Sequence, residues 1–476
     1  MYRGIIISII VTLGSWVYAY DFKVANDEGY ELCYNRLEDG ISVEFTYDEV
    51  GREKNFSYKY LDCDTLRIPE RVSYNGKEYS VVKLGERAFK FMNPTIKVVS
   101  IPKSVNDVFY GKLTESGSET QVLRSTFQCN NLQGILVDSL NNSFVSEDGI
   151  LYSRDKKTLI AYPTQKENDS LNLQEGIEYL APASFENANN LRYIELPLSL
   201  KTISSWALVN NSIRHLIIKD NVDSIRNHAL ECSSLTHLTL GSKLKYVGKQ
   251  FLSSDSTLDI YSRAVMPPEI GGMHEGSIFL PYALKENSQL YVPRQSLSAY
   301  QQAEGWKLFG TILPIEPPIV TGVDTASVSW VQNFSATGYV WTLYLDEAKT
   351  QRFMSLTFDA NGHLTHIDIN SGHMPERMPA LYNEDGEEEK RFAEYYSFTI
   401  SGLSPETKYY YTRQSLKGTE VIDEETGSFE TLNEAPEGID EIGSEGGHAT
   451  RKIMEDGQVL IKRGKTTYTF QGTKMK

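Results

Sequence analysis

The chain has 476 residues, of which 40% are hydrophobic, and a formal net charge of −16 at pH 7. Its length predicts two to four domains, because a single hydrophobic core stops growing at roughly 250–300 residues. The acidic balance and the lack of a basic stripe argue against a nucleic-acid partner and against binding to an anionic membrane surface.

Residues 1–19 have the pattern of a secretory signal peptide. Arg3 supplies a positive start, residues 5–17 form a short apolar core, and Ala19 ends a cleavage site of small residues. The core is too short to favour a membrane span and nothing like it recurs, so we expect no transmembrane span in the mature chain. The alternative is a buried N-terminal strand. We expect a secreted or outer-cell-surface protein that begins near Tyr20.

Residues 20–63 are predicted to form an N-terminal β cap. Cys33 and Cys63 flank its strands, and export permits disulfides, so this pair is a candidate disulfide. Cys129 and Cys232 occupy equivalent repeat positions and are interpreted as buried small hydrophobic side chains. None of the four cysteines has CxxC spacing, so the chain lacks a zinc or thioredoxin motif of this kind.

The middle of the chain repeats every 22 or 23 residues. Four apolar columns keep this register: Leu171, Ile194, Leu216, Leu238 and Ile260; Leu173, Leu196, Ile218 and Leu240; Leu180, Ile203, Ile225 and Val247; Phe185, Leu208, Leu230 and Leu252. Each repeat is predicted to hold one short strand whose alternate side chains point inward. Because one repeat cannot bury its own apolar side, stacking should build a parallel β ladder, with loops or short helical turns returning the chain.

Residues 64–315 contain further motifs, each at a single place. They are residues 67–72 (RIPERV), 74–79 (YNGKEY), 84–89 (LGERAF) and 146–152 (SEDGILY), then Pro267, Pro268, residues 290–293 (LYVP), Tyr300, Trp306 and Phe309. In these motifs the segment resembles the BspA-like leucine-rich repeat family of bacterial surface proteins. The resemblance implies a leucine-rich repeat solenoid with a C-terminal cap that binds host or partner macromolecules, and it identifies no ligand.

The repeat register also predicts which strand residues face outward. Two exposed columns are expected: Val98, Gly134, Ser170, Tyr193, His215 and His237; Ser100, Leu136, Asn172, Glu195, Ile217 and Thr239. The candidate binding residues are Tyr193, His215, His237, Glu195, Ile217 and Thr239, and the first three should stand side by side. The alternative is that an exposed strand surface tolerates such side chains without binding anything.

Beyond the stiff linker at residues 314–318 (PIEPP) the repeat period is lost and alternating strands follow. Trp330 occupies an early strand, and Leu403, Pro405, Thr407 and Tyr409 form a corner motif. Residues 316–432 are similar to fibronectin type III domains. That resemblance implies an antiparallel β-sandwich in which the tyrosine hydroxyl bonds back to the backbone.

Residues 433–476 begin with a glycine-rich stretch and then become β-like. Segments 456–461 and 467–472 predict a terminal hairpin. The tail resembles C-terminal sorting tails of proteins exported by gram-negative anaerobes; the alternative is an ordinary terminal hairpin. The whole chain is therefore predicted to be mostly β, a leucine-rich repeat solenoid followed by an antiparallel sandwich.

The sequence contains only incomplete matches to known catalytic and metal-binding motifs. Gly464-Lys465-Thr466 has Val459 where a phosphate loop needs glycine, and the Ser-x-x-Lys spacings at Ser100 and Ser153 have none of the accompanying penicillin-binding motifs. The best metal candidate is His363, His366, Asp368 and His373. Because His363 and His366 would point to opposite faces of a strand, we interpret the group as a polar hairpin. We expect no catalytic residues, metal or cofactor.

Two functional hypotheses follow. The first is an adhesin-like protein that binds a host or matrix protein through the solenoid face. The alternative is a glycan-binding accessory protein of a surface polysaccharide-handling system, in which exposed aromatic rings stack on sugars. The mixed aliphatic and polar columns favour the protein partner. A hydrolase is a distant third. Paired carboxylates that meet in space leave no sequence motif, but a repeat stack followed by a sandwich offers no evident cleft for them.

Overall fold

A computed structural model describes residues 20–46 without 28 and 30, 64–108 without 87 and 90–95, 126–127, 131–209, 212–271, 288–309, 311–370 and 395–433, and the backbone of three strands within 450–469. These residues are mostly β. The chain divides into two compact units, Met1–Glu316 with Val331–Ser335, and Pro317–Trp330 with Ala336–Lys476. The predicted signal peptide, Cys63 and Cys129 lie outside the described residues, and with them the proposed Cys33–Cys63 pair.

The first unit opens with a mixed β-sheet. Its strands and those of the first repeats are β1 (Phe22–Ala25), β2 (Glu31–Arg36), β3 (Ser42–Thr46), β4 (Thr65–Arg67), β5 (Arg71–Tyr74), β6 (Lys77–Leu84), β7 (Val98–Ile101), β8 (Asp107–Val108) and β9 (Gly134–Val137). The mixed sheet has the order β1-β2-β3-β6-β5 with β8 beside β6, and β4-β7-β9 form a separate parallel sheet. Phe22, Tyr34 and Phe45 join one hydrophobic cluster with Val99 and Ile135, so the opening sheet shares its core with the first repeats.

The following repeats supply short strands at regular intervals. They are β10 (Phe144–Glu147), β11 (Ile150–Ser153), β12 (Thr158–Ala161), β13 (Ser170–Asn172), β14 (Tyr179–Leu180), β15 (Tyr193–Glu195), β16 (Thr202–Ile203), β17 (His215–Ile217), β18 (Ser224–Ile225), β19 (Leu230–Glu231), β20 (His237–Leu240), β21 (Tyr246–Val247), β22 (Leu252–Ser253), β23 (Asp259–Ser262), β24 (Glu269–Ile270), β25 (Gln289–Val292) and β26 (Ile312–Pro314).

Two parallel ladders run through these repeats. The front ladder consists of β13-β15 and of β17-β20-β23-β25-β26, and the rear ladder of β12-β14-β16-β18-β21-β24. Pairing follows the sequence period, since Leu216 lies opposite Leu238 and Leu238 opposite Ile260. Strands β10 and β11 extend the rear ladder in antiparallel fashion, and β19 pairs with β22 in a third, parallel sheet.

The predicted apolar columns form the core of the repeats. Leu216, Leu238 and Ile260 are fully buried, as are the third and fourth columns from Leu180 to Val247 and from Phe185 to Leu252. Burial confirms the inward register. Of the two predicted ways of returning the chain, loops and short helical turns, the helical one is wrong for the described residues 131–209 and 212–271. Turns and the short rear-ladder strands return the chain there.

A left-handed corner precedes the fourth apolar column in successive repeats. Ala183, Trp206, His228 and Gln250 have φ angles of 55°, 62°, 55° and 48°. Hydrogen bonds from Trp206 N–H to Asn227 O and from His228 N–H to Lys249 O keep these corners in register. Non-glycine residues seldom adopt this conformation, so its recurrence shows that the repeat geometry imposes it.

A short helical segment follows β25. It comprises the 3-10 turns Arg294–Ser296 and Trp306–Leu308 and helix α1 (Leu297–Gln302). Tyr300 and Trp306 are fully buried here. The Tyr300 hydroxyl donates to Ala264 O at 3.0 Å, and Trp306 Nε1 donates to Pro268 O at 2.8 Å, so the two large rings are tied to the last repeat.

The second unit contains two sheets around a separate core. Its strands are β27 (Val320–Thr321), β28 (Thr325–Val331), β29 (Gly338–Tyr344), β30 (Arg352–Asp359), β31 (Leu364–Ile369), β32 (Tyr395–Ser401), β33 (Lys408–Lys417) and β34 (Glu420–Glu430). The sheet orders are β27-β28-β32 and β31-β30-β29-β33-β34. Trp330 and Tyr409 are buried in the core, and Tyr409 Oη accepts a hydrogen bond from Ser404 N–H at 2.8 Å.

The tail forms a separate antiparallel sheet of β35 (Thr450–Glu455), β36 (Gln458–Arg463) and β37 (Thr466–Thr469). The sequence predicted only the pairing of the last two segments. Within the part of the chain that the structure describes, no helix has the length and apolar character needed to cross a bilayer.

Candidate binding surface

The predicted binding residues lie on the outer side of the front ladder, with unequal exposure. Tyr193 on β15 is 54% exposed, and Glu195 on the same strand is also exposed. His215 and Ile217 on β17 and His237 on β20 are half-buried. The outward register is therefore correct for these five residues.

Thr239 does not belong to this surface. It was expected to be exposed, but its exposed fraction is 0%. Thr239 pairs with Ile217 on one side and Tyr261 on the other. A short side chain between two larger ones in a parallel ladder is covered by them, and this explains the error.

The expected trio of Tyr193, His215 and His237 is only partly realised. His215 and His237 lie opposite each other, with ring centroids 5.6 Å apart and planes 27° apart. Tyr193 belongs to the sheet β13-β15, whereas β17 pairs with β20. The hydrogen-bonded ladder is thus split between Tyr193 and the two histidines.

The stack continues across the next two strands. His237 and Tyr261 have centroids 4.7 Å apart, and Tyr261 and Tyr291 have centroids 4.4 Å apart with planes at 5°. These spacings match the separation of neighbouring strands, about 4.8 Å. We call His215, His237, Tyr261 and Tyr291 the ring row. All four side chains are half-buried, so their rings reach the surface of consecutive strands.

Sequence reasoning missed half of the ring row, although a signal was present. Tyr261 follows the inward residue Ile260, as Thr239 follows Leu238. Tyr291 follows Leu290 in the same way, but 30 residues separate Tyr261 from Tyr291. The longer spacing obscured the last member of the column.

Burial and neighbouring charges shift the pKa values of two members of the ring row, His215 and Tyr291. Burial lowers the pKa of His215, and the nearby His237 and Arg214 lower it further. Burial and the carboxylate of Asp259 raise the pKa of Tyr291, against a smaller lowering by its hydrogen bond with Tyr261. Both shifts favour the uncharged form, so His215 and Tyr291 present neutral polar edges near pH 7.

A polar rim lies beside the ring row. Lys219 Nζ is 3.1 Å from Glu195 Oε1, which joins β15 to the turn after β17. The hydroxyl of Tyr291 donates to Gln289 Oε1 at 2.5 Å. Aromatic rings bordered by polar groups are the composition found in protein interfaces.

The residues considered for chemistry have other contacts. His363 Nδ1 lies 3.2 Å from Asp359 Oδ2, Asp368 pairs with Arg352 at 2.8 Å, and His366 is exposed on β31. His373 lies outside the described residues. Among the residues placed by the structure, no group of three or more His, Cys, Asp or Glu side chains has the arrangement of a metal site.

The Ser-x-x-Lys segments also have structural contacts. Lys103 Nζ pairs with Glu70 at 3.2 Å, and Lys156 pairs with Glu147. The hydroxyl of Ser153 donates to Asp155 Oδ1 at 2.7 Å and holds a turn. Cys232 is fully buried, as expected, and its thiol donates to Leu208 O at 2.9 Å.

Comparison with known proteins identifies the repeats. Residues 161–264 match the family profile described as BspA type Leucine rich repeat region, with six copies. The search of curated proteins found no significant match to this chain.

Several solved structures resemble parts of this chain at low sequence identity. The pneumococcal vaccine antigen PcpA is 19% identical, with 63% of this chain and 100% of that chain covered and a TM-score of 0.33. A leucine-rich repeat protein of Eubacterium ventriosum is 18% identical, with 53% and 55% covered and a TM-score of 0.30. One from Bacteroides ovatus is 19% identical, with 62% and 89% covered and a TM-score of 0.24.

Proposed function

We propose that this protein is an exported, non-enzymatic leucine-rich repeat protein of the cell surface that binds an extracellular protein through its front ladder. The signal-peptide pattern of residues 1–19 supports export, and the BspA-type match over residues 161–264 supports a surface role. The two parallel ladders around one continuous core support a repeat solenoid.

The observation that carries the binding proposal is the ring row. Four half-exposed rings on consecutive strands form a continuous patch, from His215 to Tyr291. Aromatic side chains near the centre of a patch carry a large share of binding free energy in protein complexes.

Ring orientation favours a protein over a glycan. The rings cover one another's faces, with Tyr261 and Tyr291 nearly parallel at 4.4 Å, so mainly their edges reach solvent. Sugars stack on open ring faces, whereas edges with hydroxyl and imidazole groups make the hydrogen bonds of a protein interface. Tyr193, at 54% exposure, favours the glycan alternative.

We further propose that residues 316–432 form a fibronectin type III-like β-sandwich and that residues 433–476 act as a sorting tail. The two sheets around the Trp330 core and the bond between Ser404 N–H and Tyr409 Oη support the first assignment. The resemblance of the tail to known sorting tails supports the second.

The test is binding of the mature chain to immobilised extracellular-matrix proteins and to a glycan array. The variant His237→Ala/Tyr261→Ala/Tyr291→Ala should weaken binding to the matrix protein at least about tenfold, since each hot-spot truncation typically costs about 2 kcal/mol. As a control, Tyr395→Ala/Val421→Ala removes exposed hydrophobic side chains of the second unit and should leave the affinity unchanged.

Other outcomes separate the alternatives. Binding confined to the glycan array, and lost on Tyr193→Ala, would replace the protein partner with a glycan. Affinity that survives the ring-row variant but is lost in the second-unit variant would move the site to the second unit.

A further inference from the structure

A groove of about 830 Å³ lies between the two ladders and extends across five repeats, from Gly176 to Met266. It is distinct from the ring row, because it is lined by the segments that connect front strands to rear strands. The half-buried Leu198 and the buried Leu244 supply its apolar lining. The groove is therefore a second surface of the repeats with its own chemistry.

One wall carries charges of alternating sign. Backbone hydrogen bonds hold one residue per repeat in register along this wall: Glu178, Lys201, Asp223 and Lys245. Lys157 precedes them in the same register and does not line the groove. Glu178 pairs with Lys157 at 2.9 Å and also with Lys201 on its other side. Hydrogen bonds from Lys201 and then Lys157 lower the pKa of Glu178, so this carboxylate stays ionised and is balanced by two ammonium groups.

The groove has a surplus of positive charge. Its lining contains the ammonium groups of Lys201, Lys243 and Lys245 against the carboxylates of Glu178 and Asp223. Lys243 Nζ donates to the neutral Asn221 Oδ1 at 2.9 Å, which leaves its charge uncompensated by that contact. In a chain of net charge −16, this local excess favours an acidic ligand.

Large apolar side chains stand exposed at one end of the groove. Val265 is 47% exposed and Met266 is 73% exposed. Exposed hydrophobic side chains beside a concave surface indicate a binding site, and methionine adapts its shape to different partners. A ligand for this groove needs both carboxylates and apolar groups.

We propose that the groove binds an extended segment of a partner polypeptide in which acidic and apolar residues alternate. A polysulfated glycan fits less well, because it brings no apolar groups for Val265 and Met266. Lys201 and Lys245 are two ladder steps apart, about 9.6 Å, which is the span of roughly three residues of extended or polyproline chain. The segment should therefore carry an acidic residue at about every third position.

The probe is a fluorescein-labelled peptide, Asp-Leu-Pro-Asp-Leu-Pro-Asp-Leu-Pro, whose prolines keep it extended. We expect fluorescence anisotropy to detect saturable binding to the full mature chain and a weaker affinity at higher salt. Lys243→Glu/Lys245→Glu should weaken this binding at least tenfold, and Met266→Ser should weaken it severalfold. Neither change alters the Glu178 ion pairs, and thermal unfolding would confirm that each variant folds.

A matched control makes the same change in net charge outside the groove. Lys249→Glu/Lys307→Glu exchanges two exposed lysines outside the groove and should leave peptide affinity within twofold. The ring-row variant should also keep its affinity for the peptide. The proposal for the front ladder and the proposal for the groove can therefore fail independently.

Three results would overturn the groove proposal. One is the absence of saturable peptide binding, and another is equal loss in the groove variant and its charge-matched control. The third is equal binding of a peptide that has Lys in place of Asp. If the original peptide does not bind and heparin binds tightly, the groove is assigned to a glycan.

Discussion

The rings of Tyr261 and Tyr291 lie face to face on neighbouring strands, with centroids 4.4 Å apart and planes 5° apart. Parallel pairing of β23 with β25 sets this geometry, since it aligns the two tyrosines across the ladder. We expect the pair to be energetically coupled by about 0.5–1.5 kcal/mol, the range measured for aromatic pairs.

A double-mutant cycle of Tyr261→Ala and Tyr291→Ala, measured by denaturant unfolding of the first unit, gives this coupling. The cycle of Tyr193→Ala and Tyr291→Ala is the control, because these residues lie in different sheets and should not couple. A coupling near zero in the first cycle would mean that the stack does not persist in solution.

The front-ladder register predicts losses of stability of different size for two adjacent residues. Leu216 is fully buried with paired strands beyond it, so Leu216→Ala should lower the free energy of unfolding by about 2–5 kcal/mol. Ile217 is half-buried on the outer face, so Ile217→Ala should cost less than about 1 kcal/mol. Chemical denaturation of both variants tests the register, and equal losses would contradict it.

The sequence period was sufficient to predict the core but not the full outer surface. Burial of Leu216, Leu238 and Ile260 follows from the period alone, because stacking leaves these positions no other environment. The burial of Thr239 and the stacking of Tyr261 depend on the sizes of side chains in adjacent repeats. The groove depends on how connecting segments from several repeats meet, and no single repeat contains that information.

The left-handed corners offer a test of backbone strain. Gln250 is exposed at φ 48°, where a Cβ atom costs roughly 1–2 kcal/mol that glycine avoids. Part of this gain is offset by the greater freedom of glycine in the unfolded chain, so Gln250→Gly should raise the free energy of unfolding by up to about 1 kcal/mol.

Lys249→Gly is the matched control for this corner. Lys249 is exposed and is not among the residues with positive φ, so glycine there should destabilise by about 0.5–1 kcal/mol. Equal destabilisation by both glycines would show that the corner at Gln250 is unstrained.

Histidine burial predicts a pH dependence of stability for the first unit. Burial, His237 and Arg214 place the pKa of His215 below its unfolded value of 6.5. The unfolded chain therefore binds more protons at mildly acidic pH, and the contribution of His215 to stability is lost as the pH falls below that value. His215→Phe keeps a ring in the stack and should flatten the fall in unfolding free energy between about pH 7.5 and pH 5. An unchanged slope in denaturant titrations would contradict this assignment.

The hydrogen bond at the corner of the second unit should contribute measurably to its stability. Tyr409 is fully buried, and its hydroxyl oxygen accepts from Ser404 N–H at 2.8 Å. Tyr409→Phe keeps the packing of the ring and leaves that backbone donor without its acceptor, so it should cost about 1–3 kcal/mol. Tyr396→Phe is the control: its hydroxyl likewise bonds to the backbone, donating to Ala360 O, but in an exposed contact where water replaces the lost bond. We expect that change to cost less than about 1 kcal/mol in the unfolding transition of the second unit. Equal costs for the two variants would mean that the corner bond adds no more than a surface contact, and the fibronectin-like assignment would lose its most specific support.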